Sequence, residues 1–235
     1  KSCEAKGFWY ALELYRGLIM TRLFSFLSTP LSIVALSVCS AFSHAEYDTV
    51  FIDLAQGEDM SHFRLGLGET PIGEDGEKVT SMFYLSYFNS EDTMMVENTN
   101  NGIQEVEIIA LGAGGFGYLK DPSQKGGAEF DFEISQTEIK DTDYSRKGLG
   151  FRTQIFVPIA AGLQTNIGFN IRPFFLSSDW DEQAELEYEY QLGLEYAFSW
   201  DAQLYAHYRY VAMIDDSDND VTLAEGSLAG LRIRF

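Results

Sequence analysis

Cysteine is nearly missing from this chain of 235 residues: its two examples are Cys3 and Cys39. From residue 46 onward there is none, which excludes a disulfide framework, a Cys-based metal site and a Cys nucleophile there. Proline is scarce at 5, and bases are few, 16 against 36 acids, for a formal charge of −20. Such a deficit of positive charge excludes a phosphate-binding face and therefore nucleic-acid partners. Mean hydropathy is slightly negative, so the chain is no bundle of transmembrane helices. What is plentiful is glycine (21), phenylalanine (18) and tyrosine (13), a composition suited to strands and tight turns.

One long apolar run exists. Residues 20–45 read MTRLFSFLSTPLSIVALSVCSAFSHA, with Arg22 early, an apolar stretch from Leu23 to Phe42, and small residues ending at Ala45. This is the layout of a secretory signal peptide, with cleavage expected after Ala45 and residues 1–19 as an upstream extension. A membrane anchor is the competing reading, weakened by Pro30 and several serines in the run. Residues 46–235 then form a single domain.

That domain alternates with period two. In 184–198, AELEYEYQLGLEYAF, the even positions are Ala184, Leu186, Tyr188, Tyr190, Leu192, Leu194, Tyr196 and Phe198, and most odd positions are Glu. A helix would scatter those glutamates around its axis; a strand puts them on one face. Similar runs occupy about 47–55, 62–69, 78–89, 103–119, 128–134, 149–157, 163–176, 202–213 and 221–235. Ten strands are therefore expected, with eight as the second choice because the link 55–61 is short for a loop rim and 69–77 long for a turn rim. Most exceed the ~5–6 residues of soluble strands and reach the ~9–11 that span a bilayer. Links alternate in kind, those at about 69–77, 120–127, 158–161 and 199–201 on one rim, two of them very short, and polar ones at 90–102, 135–147, 177–183 and 214–220 on the other. This predicts an all-β, antiparallel transmembrane β-barrel. Tyr188, Leu192, Leu194, Leu204, Tyr208, Leu231 and Ile233 should face lipid.

The polar faces would then line the lumen. Acids there are Glu129, Asp131, Glu133, Glu185, Glu187, Glu189 and Glu195; bases are Arg152, Arg172, Arg209, Arg232 and Arg234. Buried charges must be paired, so an internal salt-bridge network is expected, with Glu187 or Glu189 tied to Arg172 and Arg209. Acids outnumber bases, which leaves a narrow cation-favouring pore as the alternative. A hydrolytic or lipid-modifying enzyme is the third reading. Only His62 and His207 are available after residue 46, and no serine sits in a nucleophile motif. No enzyme, cofactor or metal is expected. The Gly-rich ALGAGGFG at 110–117 lacks a phosphate-loop ending and reads as a strand whose small residues admit bulky neighbours. The acidic run 215–220 lacks the Gly and Glu of a calcium loop and reads as a solvated link.

The stretch NIRPFFLSSDWDEQAELEYEYQLGLEYAFSWDAQLYAHYRYV, within 163–211, resembles the YfaZ-type family of small outer-membrane proteins. It shares an aromatic-Pro strand end, a short polar loop, a strand with regular Tyr and a strand ending Tyr-Arg-Tyr. The resemblance implies a place and a fold, and no chemistry. The closing Phe235 resembles the C-terminal signal read by barrel-assembly machinery. Expected partners are outer-membrane lipid, lipopolysaccharide and that machinery.

Overall fold

The computed structural model describes residues 48–235 apart from 72–78, 97–98, 119–125, 141, 143, 178–183, 200–201 and 216–217. The proposed signal segment and extension lie outside the described residues. Ten antiparallel strands close into a barrel: β1 (Thr49–Gln56), β2 (Met60–Glu69), β3 (Val79–Val96), β4 (Thr99–Tyr118), β5 (Gly127–Ile139), β6 (Ser145–Ala160), β7 (Leu163–Pro173), β8 (Leu186–Ala197), β9 (Ala202–Ile214) and β10 (Asp220–Arg234). Each pairs with its chain neighbours, and β10 pairs with β1 to complete the ring. The one helical element among the described residues is the single turn Phe174–Leu176 after β7.

Alternation is what closes the sheet. With apolar residues on one face and polar on the other, an open sheet would expose one of them and two edges; closure removes both edges. Traced once around the wall, the ladder runs Val50, Leu67, Phe83, Ala113, Phe132, Phe151, Ile171, Tyr188 and Ala212, and returns to β10 at Thr222. Val50 itself exchanges backbone bonds with Phe235, thirteen positions further along the chain from Thr222. One of those positions is absorbed by a bulge between Thr222 and Ala224. This stagger is what tilts the strands of a closed barrel.

Three links are tighter than expected. The β6–β7 turn is Ala161-Gly162, where Gly162 takes φ +76, a conformation costly for any residue with a Cβ. The segments 90–102 and 135–147, expected as polar links, are largely strand: β3 and β4 run on to Val96 and from Thr99, and β5 reaches Ile139. β1 and β2 are short by contrast, ending and starting at Gln56 and Met60. Above their turn the wall is completed by β10 on β3, through Val221↔Val96 and Thr222↔Met95. The barrel thus has ten strands at the rim holding Phe235 and eight at the other, here called the loop rim.

Candidate functional site

The lumen is built by the inward positions of every strand. Near its middle, Arg64 of β2 is wholly buried and meets three acids. It pairs with Glu129, lies 3.3 Å from Asp131 Oδ2, and sits 3.7 Å from Asp53 Oδ2. Asp53 also accepts from Arg232 Nε at 3.1 Å and from the Tyr205 hydroxyl. Arg232 reaches Glu195 at 3.3 Å, which His207 Nε2 approaches at 3.2 Å and to which Gln164 and Asn166 donate.

A second cluster lies along β5–β9 towards the loop rim. Arg172 Nε donates to Glu133 at 2.9 Å and its Nη1 to Glu187 at 2.6 Å, with Glu189 at 3.8 Å. Arg146 Nη1 donates to Glu187 at 3.0 Å and Arg209 Nη2 to Glu189 at 2.8 Å. Thus Glu187 and Glu189 are brought together with Arg172 and Arg209. Arg152 stands between the clusters, within electrostatic reach of Glu129 and Glu189. Arg234 lies 4.1 Å from the Phe116 ring centre and 5.6 Å from that of Phe51, where aromatic faces stabilise the guanidinium.

Eleven of the twelve charges expected in the lumen are buried there; Glu185 is the exception. It is exposed one residue before β8, where its backbone is engaged with Phe174 and Ile214. The strict alternation of 184–198 continues past the point where the wall stops, so parity alone misplaced it. Conversely, Asp53, Arg64 and Arg146 belong to the network and were not named. Arg64 already stood opposite Phe63 and Leu65 in the alternation, whereas Arg146 fell in a segment read as a link.

These additions change the balance. Among the described residues the buried carboxylates are Asp53, Glu129, Asp131, Glu133, Glu187, Glu189 and Glu195, and the buried guanidiniums are Arg64, Arg146, Arg152, Arg172, Arg209, Arg232 and Arg234, seven of each. The expected excess of lumen acids is therefore corrected to an even count. Every arginine after residue 46 is inside. The two described lysines, Lys140 and Lys147, are outside. The planar fork of Arg satisfies several carboxylates at once in a crowded interior, which the Lys ammonium does less well.

The lumen is not charged throughout. Towards the loop rim it holds an apolar cluster that includes Met60, Phe88, Val106, Ile108, Ile139, Val211, Met213, Val221, Leu223 and Leu228. On the same strands the outward face changes too. β5 points Phe130, Phe132 and Ile134 outward in its first part, then Gln136 and Glu138. β4 points Ile109 and Leu111 outward on one side of this level, and Glu105 and Glu107 on the other. Inward residues invert in the opposite sense, from Glu129–Glu133 to Ile139 on β5, and from Arg234 and Arg232 to Leu228 on β10. On β4, β5 and β10 one part of the wall is apolar outside and mostly polar inside, as lipid requires, and beyond it the outer face turns polar and the inner face largely apolar, as water requires, while on β6–β8 Arg146, Arg172 and Glu187 carry charge up to that level.

Outward apolar residues in the first half form a continuous belt, with Leu111 and Ile134 each 62% exposed. Leu192, Leu194, Leu204 and Tyr208 are strongly exposed in it, and Tyr188, Leu231 and Ile233 share its parity. Tyrosines mark its upper edge: Tyr190 stacks on Tyr210 at 4.8 Å, and Tyr188 and Tyr208 donate to Asp220 and Glu225. Above the edge, Lys140 Nζ lies 2.8 Å from Glu107, a hydrogen bond that raises the lysine's pKa.

The Gly-rich stretch lies on β4. A Cβ on Gly112 would strike the Tyr84 ring, and one on Gly114 would strike the Asp131 carboxylate. Glycine there lets long lumen side chains cross the inner wall. In the acidic link 215–220, both oxygens of Asp215 accept from Asn219. Among the described residues no group of three or more metal-ligating side chains is assembled.

The closed wall, its outward apolar belt and its polar interior define an outer-membrane-type β-barrel. No family model matches the chain, and no curated protein matches it. Solved structures to which it is similar include a chain from work on the in-meso crystallization of membrane proteins, at 10% identity over 81% of this chain and 83% of that one, TM-score 0.42. OmpT of Vibrio cholerae gives 13% identity over 79% and 64%, TM-score 0.34. The KdgM porin gives 10% over 80% and 99%, TM-score 0.31.

Proposed function

We propose that this protein is a non-conducting outer-membrane barrel whose filled lumen is a rigid support for an acidic, surface-facing loop rim. The observation that carries the reading is the even set of seven carboxylates and seven guanidiniums, all buried, capped by an apolar cluster. A cation-favouring pore would be favoured by an excess of lumen acids, whereas the described lumen charges are equal in number and buried, which supports the filled reading. Other acids among the described residues lie outside the lumen. Among them Glu58, Asp59, Glu91, Glu185, Asp218 and Glu225 are exposed around the loop rim.

Outer-membrane lipid is the partner of the apolar belt, and lipopolysaccharide is the partner proposed for the loop rim, through cations bridging its phosphates to these carboxylates. The strand ending in Phe235 is proposed as the segment that assembly machinery reads. Kinship with the YfaZ-type family rests on 163–211, which supplies β7, β8 and most of β9. The reading assigns no catalytic residue and takes His207, which faces Glu195 at 3.2 Å, as a member of the network. Planar-bilayer recording of the purified, refolded protein tests the central claim. No steady conductance is expected; a steady, cation-selective current would overturn it in favour of a channel.

A further inference from the structure

The tyrosine edge of the belt meets a carboxylate in the same way at two places. On β3–β4, Tyr87 pairs with Ile109, and its hydroxyl donates to Glu107 Oε1, two positions before that partner, at 3.0 Å. On β9–β10, Tyr208 pairs with Ser227, and its hydroxyl donates to Glu225 Oε2, again two positions before the partner, at 3.1 Å. Both tyrosines share the outward parity of their strands, β3 and β9, so one arrangement repeats the other around the wall. What differs is the second carboxylate oxygen. Glu107 Oε2 lies 2.8 Å from Lys140 Nζ, an ammonium that the chain itself supplies. Among the described residues Glu225 has no such base: the arginines are in the lumen, Lys140 and Lys147 belong to the β5–β6 side, and the nearby Asp92 accepts from the Glu225 backbone N–H at 3.0 Å. Aromatic rings stand beside this carboxylate. Tyr210, its register partner, stacks on Tyr190 at 4.8 Å and lies 6.2 Å from the tilted ring of Tyr188, whose hydroxyl donates to Asp220.

We propose that Glu225 and the tyrosines around it form a seat for the protonated primary amine of a lipid headgroup, in the place that Lys140 takes at Glu107. An ammonium is drawn both to a carboxylate and to the faces of tyrosine rings, and Tyr190 and Tyr208 are each 40% exposed. The depth fits a lipid: the patch stands at the edge of the belt, where Leu192 and Leu204 are exposed on the apolar side for acyl chains. Each contact is open to water, so the seat selects among headgroups and does not anchor the barrel. It needs no metal, unlike the cation bridges proposed for the loop rim, and it is indifferent to conduction. The bilayer recording above and the test of the seat therefore fail independently.

The test refolds the full barrel into phosphatidylglycerol nanodiscs doped with phosphatidylethanolamine or with its N-acetylated form. EDTA is present throughout, and lipids retained by the protein are counted by native mass spectrometry. The amine lipid should be retained about two- to fivefold over the acetylated one, the range that one exposed contact between a cation and an aromatic face gives. Glu225→Gln should abolish that preference. Lys140→Ala should raise the number of amine lipids retained, by opening the matching place at Glu107. Equal retention of the two lipids, a preference that survives Glu225→Gln, or no gain in Lys140→Ala would overturn the seat.

Discussion

The two halves of this barrel are made from the same strands and obey opposite rules. In the half near Phe235, β5 turns Phe130, Phe132 and Ile134 out and Glu129, Asp131 and Glu133 in. A few residues later it turns Gln136 and Glu138 out and Ile139 in. The backbone does not change; the solvent does. Lipid tolerates apolar surface and no unpaired backbone group, so that half is closed, belted and stocked with paired charges. Beyond the belt the wall stands in water, where burial of apolar side chains stabilises as in any soluble barrel. The level of the inversion, near Tyr87, Glu107 and Gln136, therefore marks the membrane boundary on these strands.

Six substitutions test that contrast. The largest effect belongs to the charged half. Arg64→Ala strands Asp53, Glu129 and Asp131 without their shared partner and should cost about 3–5 kcal/mol, read from denaturant unfolding in micelles. A loss no larger than that of an exposed arginine would mean the layer is wet. Next is the outer face. Phe132→Arg should cost about 2–4 kcal/mol if it sits near the bilayer midplane. On the same strand and face, Glu138→Arg should stay within about 0.5 kcal/mol, as surface changes do. Equal damage at both positions in vesicle-based unfolding would erase the boundary.

The apolar half gives smaller steps. Ile139→Val removes one buried methylene from the cluster and should cost about 0.5–1.5 kcal/mol. Ile155→Val, on the lipid face, should be close to neutral in the same unfolding assay, because lipid fills the space. If the two are indistinguishable, the upper cluster is not a packed core. The smallest effect is at the belt's edge. Tyr208→Phe deletes the exposed bond to Glu225 and should cost under about 1 kcal/mol. A larger loss by thermal shift would show that the tyrosine edge fixes the wall and does not merely face the headgroups.

How much of this was legible from the chain alone depends on where each solvent begins. Inside the lipid half, period two is enough. Leu192 and Leu194 against Gln191 and Glu195, or Leu231 and Ile233 against Arg232 and Arg234, place each side chain on its face, because one residue of slip would put every charge in hydrocarbon. That is why ten strands and eleven of the buried charges could be read directly. Where the outer solvent turns from lipid to water, the apolar set crosses from one face to the other and the alternation breaks its phase. Residues 90–102 and 135–147 then look like polar links although they are mostly wall. Arg146 was lost with them, and Glu185 was gained by extending a pattern beyond its strand. Only the closed ring could decide the rest. Which carboxylate Arg64 takes from β1 and β5, the even count of charges, and the meeting of β10 with β3 above a short hairpin all join residues far apart in sequence. Alternation carries the face of a residue, and nothing in it carries the partner across the lumen.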